Sequence, residues 1–465
     1  KTIEATNVKG PGHTAIGQQN QIYSIPAVEA EESQGSSSAI GNQNVVKGEQ
    51  ANAIGDGNDA YGHFTQSVGD DNKVYADHSL GYGAHNKVGA QRVIGTPEKD
   101  VVVDKNTSKA SVFGLNNVVL GKEVLALGNN NNVNGENSTA IGTQSTADGI
   151  NTLAIGTGAK AHVTNPAAAN SNKPGNLVAI GTSAEATAAE TVAIGQAAKA
   201  SGQNSNAYGS KANASATSSL AVGSGSVASG DSAVAIGNDS TVTGDSAVAI
   251  GASATSTGKW STALGDRANA KGEKSVALSN DSYAKDDNSV ALGSGTITRS
   301  ATKENTATVN GITYSGFAGN TPVAVVSVGS DKTETYTPPD HSDPGRTVTV
   351  TPHTRQIINV GAGEISATST DAINGSQLYM VADQVGKNKT RIDNIRQRTS
   401  DVKVKAGDNI DVKEVYDDAN QVKTYTVSTK KDIKANSYTI NNSNIKIDQN
   451  GINAGNKKVI NVANG

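Results

Sequence analysis

The sequence predicts an all-β dominated fold whose main part is a parallel β-roll of fourteen-residue coils, and three observations lead to that prediction. One is a fixed spacing of glycines over most of residues 36 to 295. A second is a composition too poor in bulky side chains for large globular cores. The third is a change of pattern after residue 296, where the repeat stops and other motifs begin.

Glycines that close an x-Ala-aliphatic-Gly tetrad fall at Gly181, Gly195, Gly209, Gly223, Gly237, Gly251 and Gly265, then at Gly293 with Ser279 holding the intervening slot, in steps of fourteen residues. The same step links Gly41, Gly55, Gly69 and Gly83, and again Gly114, Gly128, Gly142 and Gly156. Repetition at a short fixed period is the signature of a solenoid. In the unit at 245–251, Val248 and Ile250 alternate with Ala249, the period of two of a short strand, with both faces apolar. A second glycine often sits seven residues before the first, as at Gly202, Gly230, Gly244, Gly258 and Gly272, and marks a turn. Two residues before that turn glycine stands a small apolar residue such as Val133, Ala147, Ala200 or Ala228. Each coil therefore reads strand, turn, strand, turn.

Fourteen residues give a path of roughly 46 Å, enough for a narrow two-sided coil. One strand face lies inside such a roll. The expectation is that the Ala-rich opposite face lies outside, where it is too apolar to stay wet and calls for a partner; identical chains around a threefold axis would cover it. The register breaks at about 18–35, 95–113 and 157–170, where the spacing to the next tetrad becomes 24, 19 and 25. These segments read as exposed loops on a rigid scaffold, the usual place for binding residues.

Aromatic residues make up 3% of the chain and hydrophobic residues 35%, below the roughly 45–50% of globular proteins, which favours thin stacked layers over thick cores. With no Cys there is neither a disulfide framework nor a thiol site, so oligomerisation is the expected source of stability. A net charge of -4 without a basic run gives no sign of nucleic acid binding. No stretch approaches the roughly 20 apolar residues of a transmembrane helix, and KTIEATNVKG does not read as a signal peptide. A membrane anchor is therefore expected in a missing C-terminal part.

After residue 296 come TVNGITYSGFAG at 308–319, PVAVVSVG at 322–329 and the Pro-rich TPPDHSDPG at 337–345, read as a β-rich insert over 297–354. The segment 355–385, RQIINVGAGEISATSTDAINGSQLYMVADQV, follows. The S-x-A-I-G tetrads, TYSGFAG, and I-x-N-V-x-A-G followed by S-T-D-A-I-N-G-S-Q-L-Y closely resemble the trimeric autotransporter adhesins of Gram-negative bacteria, over essentially the whole chain. The resemblance implies a left-handed parallel β-roll head at 1–296, a neck at 355–380 and a short trimeric coiled coil at 381–400. It further implies a small β-rich stalk domain of the Gly-Ile-Asn type at 401–456, ending near Gly451, Ile452 and Asn453, and the start of a second neck at 457–465. Ile358, Asn359, Val360, Gly363, Asp371, Ala372, Asn374, Gly375, Gln377 and Leu378 match the neck motif, while Gly361 stands where the family commonly has Ala.

Independently of the resemblance, Leu378, Val385, Ile392 and Thr399 recur every seven residues, with Val381, Asn388 and Ile395 as the second series of a heptad seam. Asn388 has two readings. A polar core residue sets register and oligomer state; by the resemblance, it lines a site for chloride or a similar anion on the threefold axis. Trp260, the only Trp, falls in a turn, where it reads either as a surface contact for a partner or as packing at the trimer seam.

Other signals are weaker. GASATSTGKWST at 251–262 spaces Gly251 and Gly258 seven apart, where a phosphate-binding loop needs five, and the histidines show no metal-ligand spacing. Asp70-Asp71 and Asp286-Asp287 sit at turns, where Asp caps its own backbone. No catalytic residue, cofactor or metal is expected. The leading functional reading is a homotrimeric cell-surface adhesin projecting from the bacterial outer membrane, bound to a host matrix protein, a cell-surface receptor, other bacteria or an abiotic surface. Alternatives are a structural surface-layer spacer and a polysaccharide-degrading β-helix enzyme, although coils this short leave little room for carboxylates about 5 to 9.5 Å apart across a cleft. An ice-binding roll would need a Thr ladder, whereas Thr139 and Thr262 are scattered among Val, Leu and Asn.

Overall fold

The computed structural model describes every residue except 1–6, 9–11, 24–34, 90–91, 94–100, 103–105, 164–174, 338–344, 401, 421, 440, 442–443 and 464–465. The chain divides into two units, 1–357 and 358–465. In the first, each tetrad forms one strand of a coil and the residues before the turn glycine form another. Tetrad strands pair in parallel with tetrad strands of neighbouring coils, and the alternate strands build a facing 18-stranded sheet. Pairing is residue for residue: Val234, Ala235 and Ile236 lie beside Val248, Ala249 and Ile250. Equivalent positions thus stack into columns along the roll.

The interior between the two sheets is thin. Ala193, Ala207, Ala221, Ala235 and Ala249 from the tetrad sheet meet Ala200, Ala214 and Ala228 from the other, all fully buried. In the N-terminal coils the second sheet contributes the larger Val46, Val74, Val88, Val119 and Val133, also fully buried. Except at Val112 the tetrad side is smaller there, and at Gly81 even an added methyl group would lie 2.6 Å from Cγ2 of Val74. This reverses the face assignment expected from sequence. Ala points inward and the bulkier tetrad residues point out, because a close-packed space of this thickness seldom takes a branched side chain from both sheets; the coil of Val112 and Val119 is the exception.

A polar spine runs inside the N-terminal coils at Asn20, Asn44, Asn58, Asn72, Asn86, Asn117 and Asn131. Asn44 donates from Nδ2 to Asn20 Oδ1 at 3.0 Å and to the Gly55 carbonyl at 2.8 Å, while its backbone N–H donates to Asn20 Oδ1 at 3.1 Å. The next coils repeat these bonds, so buried amides that would otherwise be costly are satisfied by their neighbours. The spine stops where the Ser145 N–H donates to Asn131 Oδ1, and Ala159, Ala184 and Ala198 take over the column. Tetrad strands are five residues long up to Thr139–Thr143 and three from Leu153–Ile155 onward.

The register breaks differ from the segments read as loops. Gln21–Tyr23 and Lys160–His162 are second strands of ordinary coils, and Ser111–Leu115 is a tetrad strand. Of the tetrad-like Arg92-Val93-Ile94-Gly95, Ile94 and Gly95 lie outside the described residues; Arg92–Val93 pairs antiparallel with Val101–Val102, and Leu80–Ala84 pairs directly with Ser111–Leu115. The relevant spacing is therefore 31, from Gly83 to Gly114, not 19. In all three cases the register breaks after a second strand: Gln21–Tyr23, Lys87–Val88 and Lys160–His162. Much of each insertion lies outside the described residues.

The segment 297–354 is partly a continuation of the roll. Val326–Ser327 adds a parallel rung beside Val290–Leu292. Tyr283, Ile297, Val348 and Val350 then form a small apolar cluster against Tyr336, and Lys285 pairs with Glu334 at 2.6 Å. The hairpin Thr306–Val309 with Ile312–Ser315 is exposed along both strands. The second unit contains the helix Gly375–Ser400, which begins before the segment 381–400 read as coiled coil. It also contains the antiparallel pair Ile410–Asp417 with Val422–Thr429, and a three-stranded sheet of Ser437–Thr439, Ile445–Asp448 and Gly451–Ala454.

The tetrad glycine is dictated by backbone. At Gly195 φ is +133°, and a Cβ there would lie 2.4 Å from the Gly209 carbonyl oxygen of the next coil. A side chain is excluded by both conformation and space. Ser279 occupies this column with φ +101°, a conformation that disfavours any side chain. Ser279→Gly is expected to stabilise the roll by about 1 kcal/mol, the lower end of the strain carried by such residues, read as a raised thermal midpoint; an unchanged or lowered midpoint would contradict the assignment of strain.

Candidate binding surface and neck

The outer face of the tetrad sheet is an aliphatic stripe. Ile54, Leu127, Ile250, Leu264 and Leu292 are between 38% and 46% exposed in the single chain, and Ile16 at the first tetrad is 57% exposed. Their neighbours on the same face include Val178, Val192, Val234 and Val248, so two apolar columns run side by side. Near the N-terminus one column turns polar at Ser38, Asn52 and Gln66.

The outer face of the second sheet is polar. Glu185 sits between Lys160 and Lys199, each 3.5 Å away. In the first coils it carries a Tyr, Lys and Asp cluster: the Tyr61 and Tyr75 rings lie 5.1 Å apart, Lys47 Nζ is 5.3 Å from the Tyr61 ring, and Tyr75 Oη donates to Asp59 Oδ2 at 2.7 Å. Burial pushes the Tyr61 and Tyr75 phenols up, so both remain protonated donors at neutral pH.

Trp260 lies in the turn before Thr262–Leu264 and is 48% exposed. Its backbone is left-handed, φ +57°, and Lys259 and Lys274 place their ammonium groups 4.4 and 5.0 Å from the ring centroid. The same corner is left-handed at Asn137, Asn151, Asn204, Ser218 and Ser246, residues that tolerate it, so a bulky ring there is conspicuous. Phe64 shares this corner with φ +54°, and its sequence position alone did not single it out.

The neck residues assemble around one side chain. Gln377 Oε1 accepts from the backbone N–H groups of Asn374 and Gly363, each at 3.1 Å, and Gln377 Nε2 donates to the Gly363 carbonyl at 2.7 Å. Asn374 Oδ1 in turn accepts from the N–H groups of Ser376 and Gln377 at 3.2 and 3.3 Å, the reciprocal arrangement of a capping box at the start of Gly375–Ser400. Asn374 Nδ2 donates to the Val360 carbonyl at 3.2 Å, and Asp371 Oδ2 accepts from the Glu364 N–H at 3.1 Å. At Gly363 a Cβ would lie 2.4 Å from the Ala372 carbonyl oxygen, and Asn359 supplies a left-handed turn with φ +61°. The Asn-x-x-Gln spacing, not singled out from sequence, is a helix-cap signature that gives the motif a physical reason beyond its resemblance.

Ile358 and Leu378 are exposed in the single chain, and the helix seam continues with Val381, Val385, Ile392 and Ile395, each more than half exposed. Asn388 lies on this seam and accepts at Oδ1 from Gln384 Nε2 at 3.0 Å. The Lys389 ammonium, hydrogen-bonded to Asp393 at 2.7 Å, holds that carboxyl below the usual carboxylate range.

Residues 356–401 match the family model described as the coiled stalk of trimeric autotransporter adhesin. The model described as YadA head domain repeat matches in overlapping pieces from 121 to 159 and, with single-residue gaps, from 178 to 296. The head repeats and the stalk are those of the trimeric autotransporter adhesins. The autotransporter adhesin BtaE of Brucella suis is 30% identical over 174 residues, 34% of this chain and 20% of the relative, so the chain spans about a fifth of that relative's length. Among solved structures, the C-terminal YadA-like domain of a Burkholderia pseudomallei protein is 36% identical, covering 33% of this chain and 60% of the other, with a TM-score of 0.23. The collagen-binding domain of the Yersinia adhesin YadA is 23% identical, covering 48% and 98%, with a TM-score of 0.26. The head-repeat matches of this adhesin begin after most of its asparagine spine.

Proposed function

We propose that three copies of this chain assemble around a common axis and present the roll at the bacterial surface, projecting from the outer membrane, as an attachment fibre. The observation that carries this reading is the outward aliphatic stripe, continued in kind by the apolar seam of the helix. Burying a Val or Ile fully is worth about 1.5–3 kcal/mol, so half of that at each row of a long stripe exceeds the roughly 4–15 kcal/mol that association costs. Repeated display on a stiff trimer then lets weak contacts act together. A host matrix protein, a cell-surface receptor, another bacterium or an abiotic surface would each fit as a target. The spacer and enzyme alternatives gain no observation of their own.

Asn388 fits the anion reading in one respect: its Oδ1 is occupied by Gln384, which leaves Nδ2 to donate toward the axis. In crystals of the trimer grown in bromide, an anomalous peak on the axis at Asn388 is expected; an empty axis would leave Asn388 as a register device alone. For attachment, the soluble trimer applied to surfaces bearing collagen, fibronectin, laminin, whole cells or bare polystyrene should bind at least one saturably. Deleting 95–100 or 164–170 should abolish that binding if the insertions carry it, while unchanged affinity in both would move the site to the roll faces. A folded trimer that binds none of these surfaces would defeat the proposal.

A further inference from the structure

Phe64 is misplaced by every local rule and held in place nonetheless. It occupies the left-handed corner that Gln50 and His78 fill in the adjacent coils and Asn137 and Asn151 fill further on, with φ +54°, where an aromatic side chain is strained. The ring is not buried to compensate: it is 49% exposed. One side of it stacks on His78, with centroids 5.0 Å apart and planes inclined by 22°. Its remaining surface lines an open cleft with Ser36, Gln50, Asn52 and Gln66.

The chemistry of that cleft is specific. No charged side chain lines it. Among the described residues the side-chain amides of Gln50 and Asn52 make no hydrogen bond, and Gln66 accepts from Tyr82 Oη at 2.9 Å through Oε1, leaving its Nε2 uncommitted. A flat apolar wall beside carboxamides that can donate and accept in pairs suits a ring with apolar C–H groups on one face and adjacent hydroxyls at its edge. Ser36 to Phe64 spans two coils, about 10 Å along the stack, and the cleft is open, so a chain of such rings could enter and leave. One of the two apolar columns turns polar here, at Ser38, Asn52 and Gln66, so a neighbouring copy would gain less by covering the cleft than by covering the stripe further along.

We infer that the corner formed by Phe64, Gln50, Asn52 and Gln66 binds a sugar ring of a neutral saccharide chain. The inference rests on the attachment reading and names a ligand class for it. The aromatic ring stacks on the sugar, the amides read its hydroxyls, and the trimer offers the site three times.

The test applies the soluble trimer to a printed panel of neutral oligosaccharides built from glucose, galactose, mannose and N-acetylhexosamines, alongside sialylated and sulfated ones. The best neutral binder is then titrated calorimetrically against the unaltered chain, Phe64→Asn and Gln50→Ala. Asn is at home in this corner, so Phe64→Asn should keep or raise the thermal midpoint while weakening binding about tenfold, the scale of one stacking contact. Gln50→Ala removes an exposed amide and should weaken binding without altering the fold. Binding confined to acidic glycans, no glycan binding at all, or full affinity in Phe64→Asn would overturn the inference. So would a lowered midpoint or a broken trimer in Phe64→Asn, which would make the ring a packing element. If sugars fail but the chain still attaches to cells or matrix, the inference alone falls; if attachment fails too, the functional proposal falls with it.

Discussion

The space between the two sheets of the roll is thin, filled over most of its length by one methyl group from each side, and the rest of the structure depends on that thinness. Ala fills it from both sheets over most of the length, and the Val residues of the second sheet face Ala, Ser or Gly except at Val112, the one tetrad-side Val among the buried residues, which shares its coil with Val119. A core of this kind buries little apolar area per residue. Apart from Val112, the larger Val, Ile and Leu side chains of the tetrads stand outside, in register, along one face. A solenoid built this way is incomplete as a single chain, and the same sequence feature that repeats the coil also repeats the surface that completes it.

Backbone geometry imposes the second constraint. With coils stacked in register, the tetrad corner passes so close to the next coil that only glycine fits, and the other corner requires a left-handed residue in coil after coil. Most of the chain meets the second requirement with Asn, Ser, Gln or Lys. Phe64 and Trp260 meet it with rings, half exposed and each beside cationic or titratable partners. Strain retained at an exposed aromatic is informative because stability alone would have replaced it. The asparagine spine is the opposite case, in which polar side chains are fully buried and each completes its neighbour's hydrogen bonds.

The period was legible because it is written in glycine, and so were both strands of each coil and the turn between them. Which face lies inside was not. Ala249 and its neighbours Val248 and Ile250 are all apolar, and a period of two cannot say which column faces the other sheet; only the thickness of the interior decides. The tetrad-like stretch ending at Gly95 misled for a related reason, since it satisfies the local pattern while its Arg92–Val93 pairs antiparallel with Val101–Val102. The asparagine spine, three residues after successive tetrad glycines, was visible as spacing but had no meaning without the stack. In the neck, the residues carried over by resemblance acquire a physical role from Gln377, which ties the helix start to Gly363. Phe64 could not be singled out from sequence, because its exposure and its uncommitted amide neighbours exist only once three coils are stacked.

The claim that folding of this chain is completed by its copies is tested most directly by equilibrium denaturation at protein concentrations spanning a hundredfold, with the mass followed by sedimentation. The account predicts that the unfolding midpoint rises with concentration and that the folded species has about three times the 47.1 kDa mass of the chain. A midpoint independent of concentration, with a folded species of 47.1 kDa, would contradict it.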